Sequence, residues 1–171
     1  NLKQLAADFT DYSASILRDT LAKQRKASLV VPGGNTPRYY LPSLGRQSLC
    51  WQDVAVTLSD ERWVDTTTTA SNEHLINQHF LAYMPETAGF VGLKTDHSRP
   101  SQAIETANKR LANMPLPFSL TVLGLGEDGH IASLFPGMDP DLENDLLCVA
   151  VEPPVAPSSR ISLSLPLLAK S

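Results

Sequence analysis

Apolar positions along this chain alternate between two spacings. Residues 2–25 carry Leu2, Leu5, Ala6, Phe9, Tyr12, Ile16, Leu17 and Leu21, the buried face of an amphipathic helix. Ala27 to Val31 is short and ends in two valines, which predicts a strand. Pro32-Gly33-Gly34-Asn35 bends the chain. Thr36-Pro37 then predicts a helix to about Leu44, with Thr36 as N-cap and Pro37 in the first helical position. Val54 to Leu58 is a second strand, ending at Ser59-Asp60-Glu61-Arg62. Ser71 caps a predicted helix over 72–84, and Ser101 caps another to about Asn113. Between them, 85–100 is irregular, with a short strand near 90–93.

The apolar run through 118–124 predicts a buried central strand. It leads into LTVLGLGEDGHIASLFPG at 120–137, a Gly-rich bend followed by a short helical turn that Pro136 stops. Residues 136–146 read as an acidic loop and Leu147 to Val151 as a strand. Pro153, Pro154 and Pro157 make an extended linker, Arg160 to Leu165 is a last strand, and Pro166 opens a further element. Strands alternating with helices predict one α/β domain, a mostly parallel sheet with helices on both faces.

Composition narrows the function. With 171 residues, 42% of them hydrophobic and 19% charged, the chain can bury a core. A net charge of −4 gives no bulk attraction to nucleic acid or to an anionic membrane, so an anionic ligand needs local positive charge. No apolar run approaches the roughly 20 residues of a membrane span. The polar, amphipathic N-terminus is not a signal peptide. Cys50 and Cys148 lie far apart and read as reduced thiols of a cytoplasmic protein.

Three stretches carry chemistry. Gly33-Gly34-Asn35-Thr36 lets the backbone approach a ligand and offers helix-start N–H groups, which suits an oxyanion. It lacks the Gly-Lys-Ser/Thr ending of a P-loop, and it also fits an ordinary tight turn. At the next strand end, Arg62 suits a phosphate or carboxylate and Asp60 suits sugar hydroxyls. In the bend, Gly124, Gly126 and Gly129 match the G-x-G-x-x-G dinucleotide pattern. Pro136 breaks the helix that this pattern needs, and Glu127 and Asp128 stand where a pyrophosphate would approach. The better reading makes His130 a general base, since a histidine titrates near about pH 6.5, with Asp128 or Glu127 orienting the ring. Arg160 opens a strand and is a candidate second anion contact. The Gly33 loop, the Asp60–Arg62 cluster and His130 follow strand ends, so an open α/β sheet brings them to one edge. His74 and His79 are off metal-sharing spacing, and no CxxC or HExxH pattern occurs. No metal and no cofactor are expected.

PGGNTP at 32–37, LSDERWV at 58–64, SNEHLI at 71–76, LGLGEDGHIASLFPG at 123–137 and RISLSLP at 160–166 together resemble the 6-phosphogluconolactonase family. The resemblance implies a Rossmann-like fold shared with glucosamine-6-phosphate deaminases. It implies hydrolysis of 6-phospho-D-glucono-1,5-lactone to 6-phosphogluconate in the oxidative pentose phosphate pathway. The implied catalytic residues are His130, Asp128 and Glu127. Gly33, Gly34, Asn35, Thr36, Asp60, Arg62 and Arg160 would bind the substrate. Asn35 stands where the family usually has serine. Family members also begin with a strand before the first helix and continue past a segment like 160–166, so terminal elements of the family fold are expected to be lacking here.

The expected partner is a small sugar-phosphate lactone, with no nucleic acid and no membrane, in a cytoplasmic monomer or weak homo-oligomer. Two rivals remain. An amino-sugar-phosphate deaminase or isomerase shares the bend, but its strand-end motif carries Tyr where Arg62 stands. A non-catalytic sugar-phosphate sensor would bring a DNA-binding segment, and the sequence has no basic patch or helix-turn-helix pattern.

Overall fold

The structure, a computed structural model, describes residues 1–84, 89–138, 145–153 and 159–171. The core is a parallel sheet of β1 (Ala27–Val31), β2 (Val54–Leu58), β4 (Gly89–Val91) and β5 (Leu120–Thr121), in the order β4-β2-β1-β5. β1 and β2 run in register from Ala27 opposite Val54 to Val31 opposite Leu58. All five β1 residues are buried. That is what an unalternating ASLVV run demands, because a central parallel strand is covered on both faces. Helix α1 (Leu2–Gln24) packs on β1 and β5 and against the short helix α2 (Leu41–Gly45). Thr10, Ser13, Ala14 and Leu17 form its buried face. Leu2, Leu5 and Tyr12, expected inside, are exposed; small side chains mark the line of closest approach. Under the sheet, Trp51 and Phe80 meet edge to face at 5.5 Å, both fully buried. Truncating either to alanine would cost about 3–5 kcal/mol.

The sequence predicts a mostly parallel sheet, and a second sheet accompanies it. β3 (Asp60–Arg62), β6 (Cys148–Val151) and β7 (Arg160–Leu163) form an antiparallel sheet in the order β3-β7-β6. Ser59 joins the two. Its N–H donates to Val31 O at the end of the parallel sheet, and its own carbonyl accepts from Leu163 N–H in the antiparallel one, both at 2.9 Å. One strand thus leaves the first sheet and enters the second across a single residue.

Several boundaries move for local reasons. The helix expected over 36–44 is a 3-10 turn at Thr36–Tyr39 followed by α2. Pro42 has no N–H to continue a helix begun at Thr36, so it can only start a new one. Thr36 therefore lies inside the turn, and Asn35 precedes it without a side-chain cap. Ser71 does cap α3 (Asn72–His79), accepting from the His74 N–H. That helix stops five residues early, where Phe80 turns into the core, and a 3-10 turn follows at Leu81–Tyr83. Helix α4 (Pro100–Ala112) starts one residue before the expected cap, with Arg99 as N-cap and Pro100 in the first turn.

The central strand is much shorter than 118–124. Only Leu120 and Thr121 ladder with β1, and hydrogen bonds from Ser119 and Val122 extend it at each side. Among the described residues β5 has one neighbour, and 120–123 is half-buried to exposed rather than buried. No helical turn follows the bend among the described residues. Two isolated bridges, Leu125 with Ile131 and Ile131 with Leu134, fold it on itself instead. The final element is the short helix α5 (Leu165–Leu168), where Pro166 stands in the first turn. Pro154 and Pro157, and most of the acidic loop, lie outside the described residues.

Candidate active site

A cleft of about 440 Å³ opens where the two sheets meet. Its lining includes Gly33, Gly34, Asn35, Thr36, Asp60, Arg62, His130 and Arg160, so residues from four separate stretches of sequence converge. Asp128 stands behind the lining, against His130, and Glu127 is exposed outside it.

The cationic side is built by strand pairing. Arg62 on β3 lies directly opposite Arg160 on β7. Like charges at such positions, about 4.5–5.5 Å apart at Cβ, destabilise a sheet unless something offsets them. Neither arginine makes an ion pair among the described residues. Arg62 spends Nη1 on Ala70 O at 2.9 Å, and the Nε of each guanidinium is buried without a hydrogen-bond partner. Burial and the Arg62 charge hold the Arg160 guanidinium below its ordinary range, while Asp60 pulls the other way. The charge and geometry of the pair suit an anion.

Facing it is the glycine loop. Gly34 has φ +87°, which favours glycine. A Cβ on Gly33 would collide with the Asn72 amide. No hydrogen bond among the described residues takes up the N–H groups of Gly34, Asn35 and Thr36. The element behind them is only a four-residue 3-10 turn, so these donors act singly and without a long helix dipole.

The bend carries His130, the candidate base. His130 Nδ1 lies 2.5 Å from Asp128 Oδ1, and the His130 backbone N–H donates to the same oxygen at 3.3 Å. Donation from the ring holds the exposed Asp128 carboxyl below its usual range. An anionic Asp128 fixes the proton on Nδ1 and leaves the Nε2 lone pair free. Phe135 packs against the ring at 4.8 Å. Gly126 accommodates it, since a Cβ there would run into Nδ1 and Cε1. Gly129, at φ +87°, turns the chain back so that the Gly126 N–H reaches His130 O at 2.8 Å. Among the described residues, no group of three or more His, Cys, Asp or Glu could hold a metal ion. None of the described helices is long and apolar enough to cross a membrane.

The whole chain, residues 1–171, matches the family described as glucosamine-6-phosphate isomerases/6-phosphogluconolactonase. The chain belongs to that family. A 6-phosphogluconolactonase of Pseudomonas aeruginosa is 38% identical over 161 residues, 91% of this chain and 68% of that protein. One of Pseudomonas putida is 37% identical over 175 residues, 99% of this chain and 72% of that protein. Among solved structures, a 6-phosphogluconolactonase from Shewanella baltica superposes with a TM-score of 0.94 at 38% identity, covering 99% of this chain and 74% of that one. A monomeric glucosamine-6-phosphate deaminase superposes with a TM-score of 0.78 at 15% identity, a likeness of fold.

Within this family member, three site residues escape a reading by sequence. Glu61 is fully buried and accepts four hydrogen bonds, from the N–H groups of Arg62, Asn72 and Glu73 and from Ser71 Oγ, all at 2.7–2.9 Å. It anchors the start of α3; burial pushes its carboxyl up, and the four donors pull it back. Asn72 lines the cleft and donates to Asp60 O at 2.8 Å. Ser133 is fully buried and donates to Asp60 Oδ2 at 2.6 Å. The sequence signal for Glu61 was available, as an acid next to a strand end ten residues before a capping serine. Nothing marked Ser133, whose partner lies 73 residues away.

Proposed function

We propose that this protein hydrolyses 6-phospho-D-glucono-1,5-lactone to 6-phosphogluconate, with His130 as general base. The carrying observation is one cleft lined by His130, which Asp128 orients from behind, and by two arginines without an acidic partner among the described residues. The names of the relatives at 37–38% identity agree with it. The arginine pair and the free N–H groups of 34–36 take the 6-phosphate and fix the ring, so that its carbonyl carbon lies within reach of a water at His130 Nε2. His130 removes a proton from that water as its oxygen bonds to the carbonyl carbon. The resulting tetrahedral oxyanion collapses, the bond to the ring oxygen breaks, and His130 returns its proton to that oxygen. Water is consumed, and the product is an acid that ionises. Asp128 keeps the ring in the productive tautomer throughout.

The test is lactone hydrolysis corrected for spontaneous ring opening. His130→Ala should lower kcat by about 10²–10⁴-fold, the range for a positioned acid–base group. Near-wild-type hydrolysis would remove His130 from the role of base. Ammonia release from glucosamine 6-phosphate that outpaces lactone turnover would overturn the assignment altogether.

A further inference from the structure

We propose that Ser133 is a positioning residue that keeps Asp60 from neutralising Arg160, so that this guanidinium stays available to an anion. The inference rests on the phosphate role given above to the arginine pair.

Asp60 is the carboxylate whose charge acts on Arg160, and it is 5% exposed. It sits two residues before Arg62 on β3, opposite Ser162 on β7. With such neighbours, a direct carboxylate–guanidinium contact is the expected arrangement. It does not form. Ser133 Oγ stands between the two, donating its single proton to Asp60 Oδ2 at 2.6 Å and presenting a lone pair to Arg160 Nη1 at 3.4 Å. The other carboxyl oxygen is occupied by Ser59 Oγ at 3.0 Å and Asn72 Nδ2 at 3.4 Å. Asp60 is thereby satisfied without an ion pair.

The backbone is shaped to this end. Ala132 has φ +51°, a left-handed conformation that costs a residue with a Cβ about 1–2 kcal/mol. It turns the chain inward just before Ser133. The Ser133 N–H then donates to Ser162 Oγ at 3.3 Å, docking the bend on the antiparallel sheet. Strain held next to a buried, fully engaged hydroxyl in a cleft indicates function rather than filler.

The experiment compares kcat and KM of Ser133→Ala, Ser133→Thr and Arg160→Ala on 6-phosphoglucono-1,5-lactone and on unphosphorylated glucono-1,5-lactone. Ser133→Ala should raise KM for the phosphorylated lactone about tenfold, the worth of one hydrogen bond to a charged group. The preference for the phosphorylated over the plain lactone should fall by a similar factor. Ser133→Thr keeps the hydroxyl and should restore the preference. If Ser133→Ala does not fold, the double variant Asp60→Asn/Ser133→Ala, in which residue 60 has no charge to neutralise Arg160, should keep the preference of Asp60→Asn alone, and a further loss overturns the proposal. A folded Ser133→Ala enzyme with unchanged preference overturns the proposal, as does an equal loss on both lactones. If Arg160→Ala lowers the preference while Ser133→Ala does not, only the role of Ser133 falls. If neither changes it, the phosphate reading of the arginines falls as well.

Discussion

Gly126→Ala isolates the hydrolytic bend. Gly126 has no positive φ, so alanine fits its backbone. The obstacle is the His130 ring and, behind it, Asp128 Oδ1 at 2.8 Å from the added Cβ. To reach ordinary contact, the ring must retreat by about 1 Å, and a catalytic group misplaced by that much loses about 10²-fold in rate. The ring has little room to yield, since Phe135 lies against it and Asp128 holds Nδ1. The arginines sit on the other sheet, so KM for the phosphorylated lactone should change little. Steady-state kinetics on purified enzyme read both effects. A double-mutant cycle supplies the harder test: in a His130→Ala background, Gly126→Ala should have almost no further effect. A Gly126→Ala enzyme within threefold of wild type would refute the reasoning, and so would a full additional loss in the double variant.

Other expectations follow from the same geometry. Because the ring holds the Asp128 carboxyl below its usual range, Asp128 stays anionic as pH falls past the point where a free aspartate protonates. Its support is present at neutral pH and disappears only below that depressed value, so the acid limb of kcat should show the loss of a single group. Asp128→Asn should lower kcat about tenfold or more, and a pH–rate profile checks both. Gly33→Ala pushes a methyl into the Asn72 amide, which Asp60 holds in place, and should destabilise the fold by about 1–3 kcal/mol in urea unfolding. Glu61→Gln offers an NH₂ where the wild type accepts four donors and should cost about 2–4 kcal/mol. Burial raises the Glu61 carboxyl, so wild-type stability should decline as pH rises from the ordinary carboxylate range through that raised value. The glutamine variant should show a smaller decline, since burial also raises Glu73. Arg62→Ala should raise KM for the phosphorylated lactone with a smaller change in kcat, and an unchanged KM would contradict its phosphate role.

What the sequence disclosed was what depends on neighbours along the chain. The short ASLVV run predicted a strand, and the strand-end positions of Gly33, Asp60 and His130 put them at one sheet edge. The antiparallel sheet was hidden because neither RISL, which alternates polar and apolar, nor CVAV discloses which strand it pairs with. Only the hydrogen bonds of Ser59 to both sheets reveal the change of partner. Pro42 was legible but unread, and it decides that no long helix stands behind the glycine loop. Ser133 carried no signal of its own. Its role depends on Asp60 and Arg160, which no local pattern connects to it.

The facing arginines have a consequence for turnover. In the proposed reaction the phosphate is the same group before and after the ring opens, so Arg62 and Arg160 grip substrate and product alike. Their binding is uniform across the reaction and cannot itself lower the chemical barrier. The empty protein bears the repulsion between them, and either ligand relieves it. The arginine ladder thus cannot sense whether the ring has opened. It makes 6-phosphogluconate a competitor for the vacant enzyme, and it leaves all discrimination between lactone and acid to the bend that carries His130.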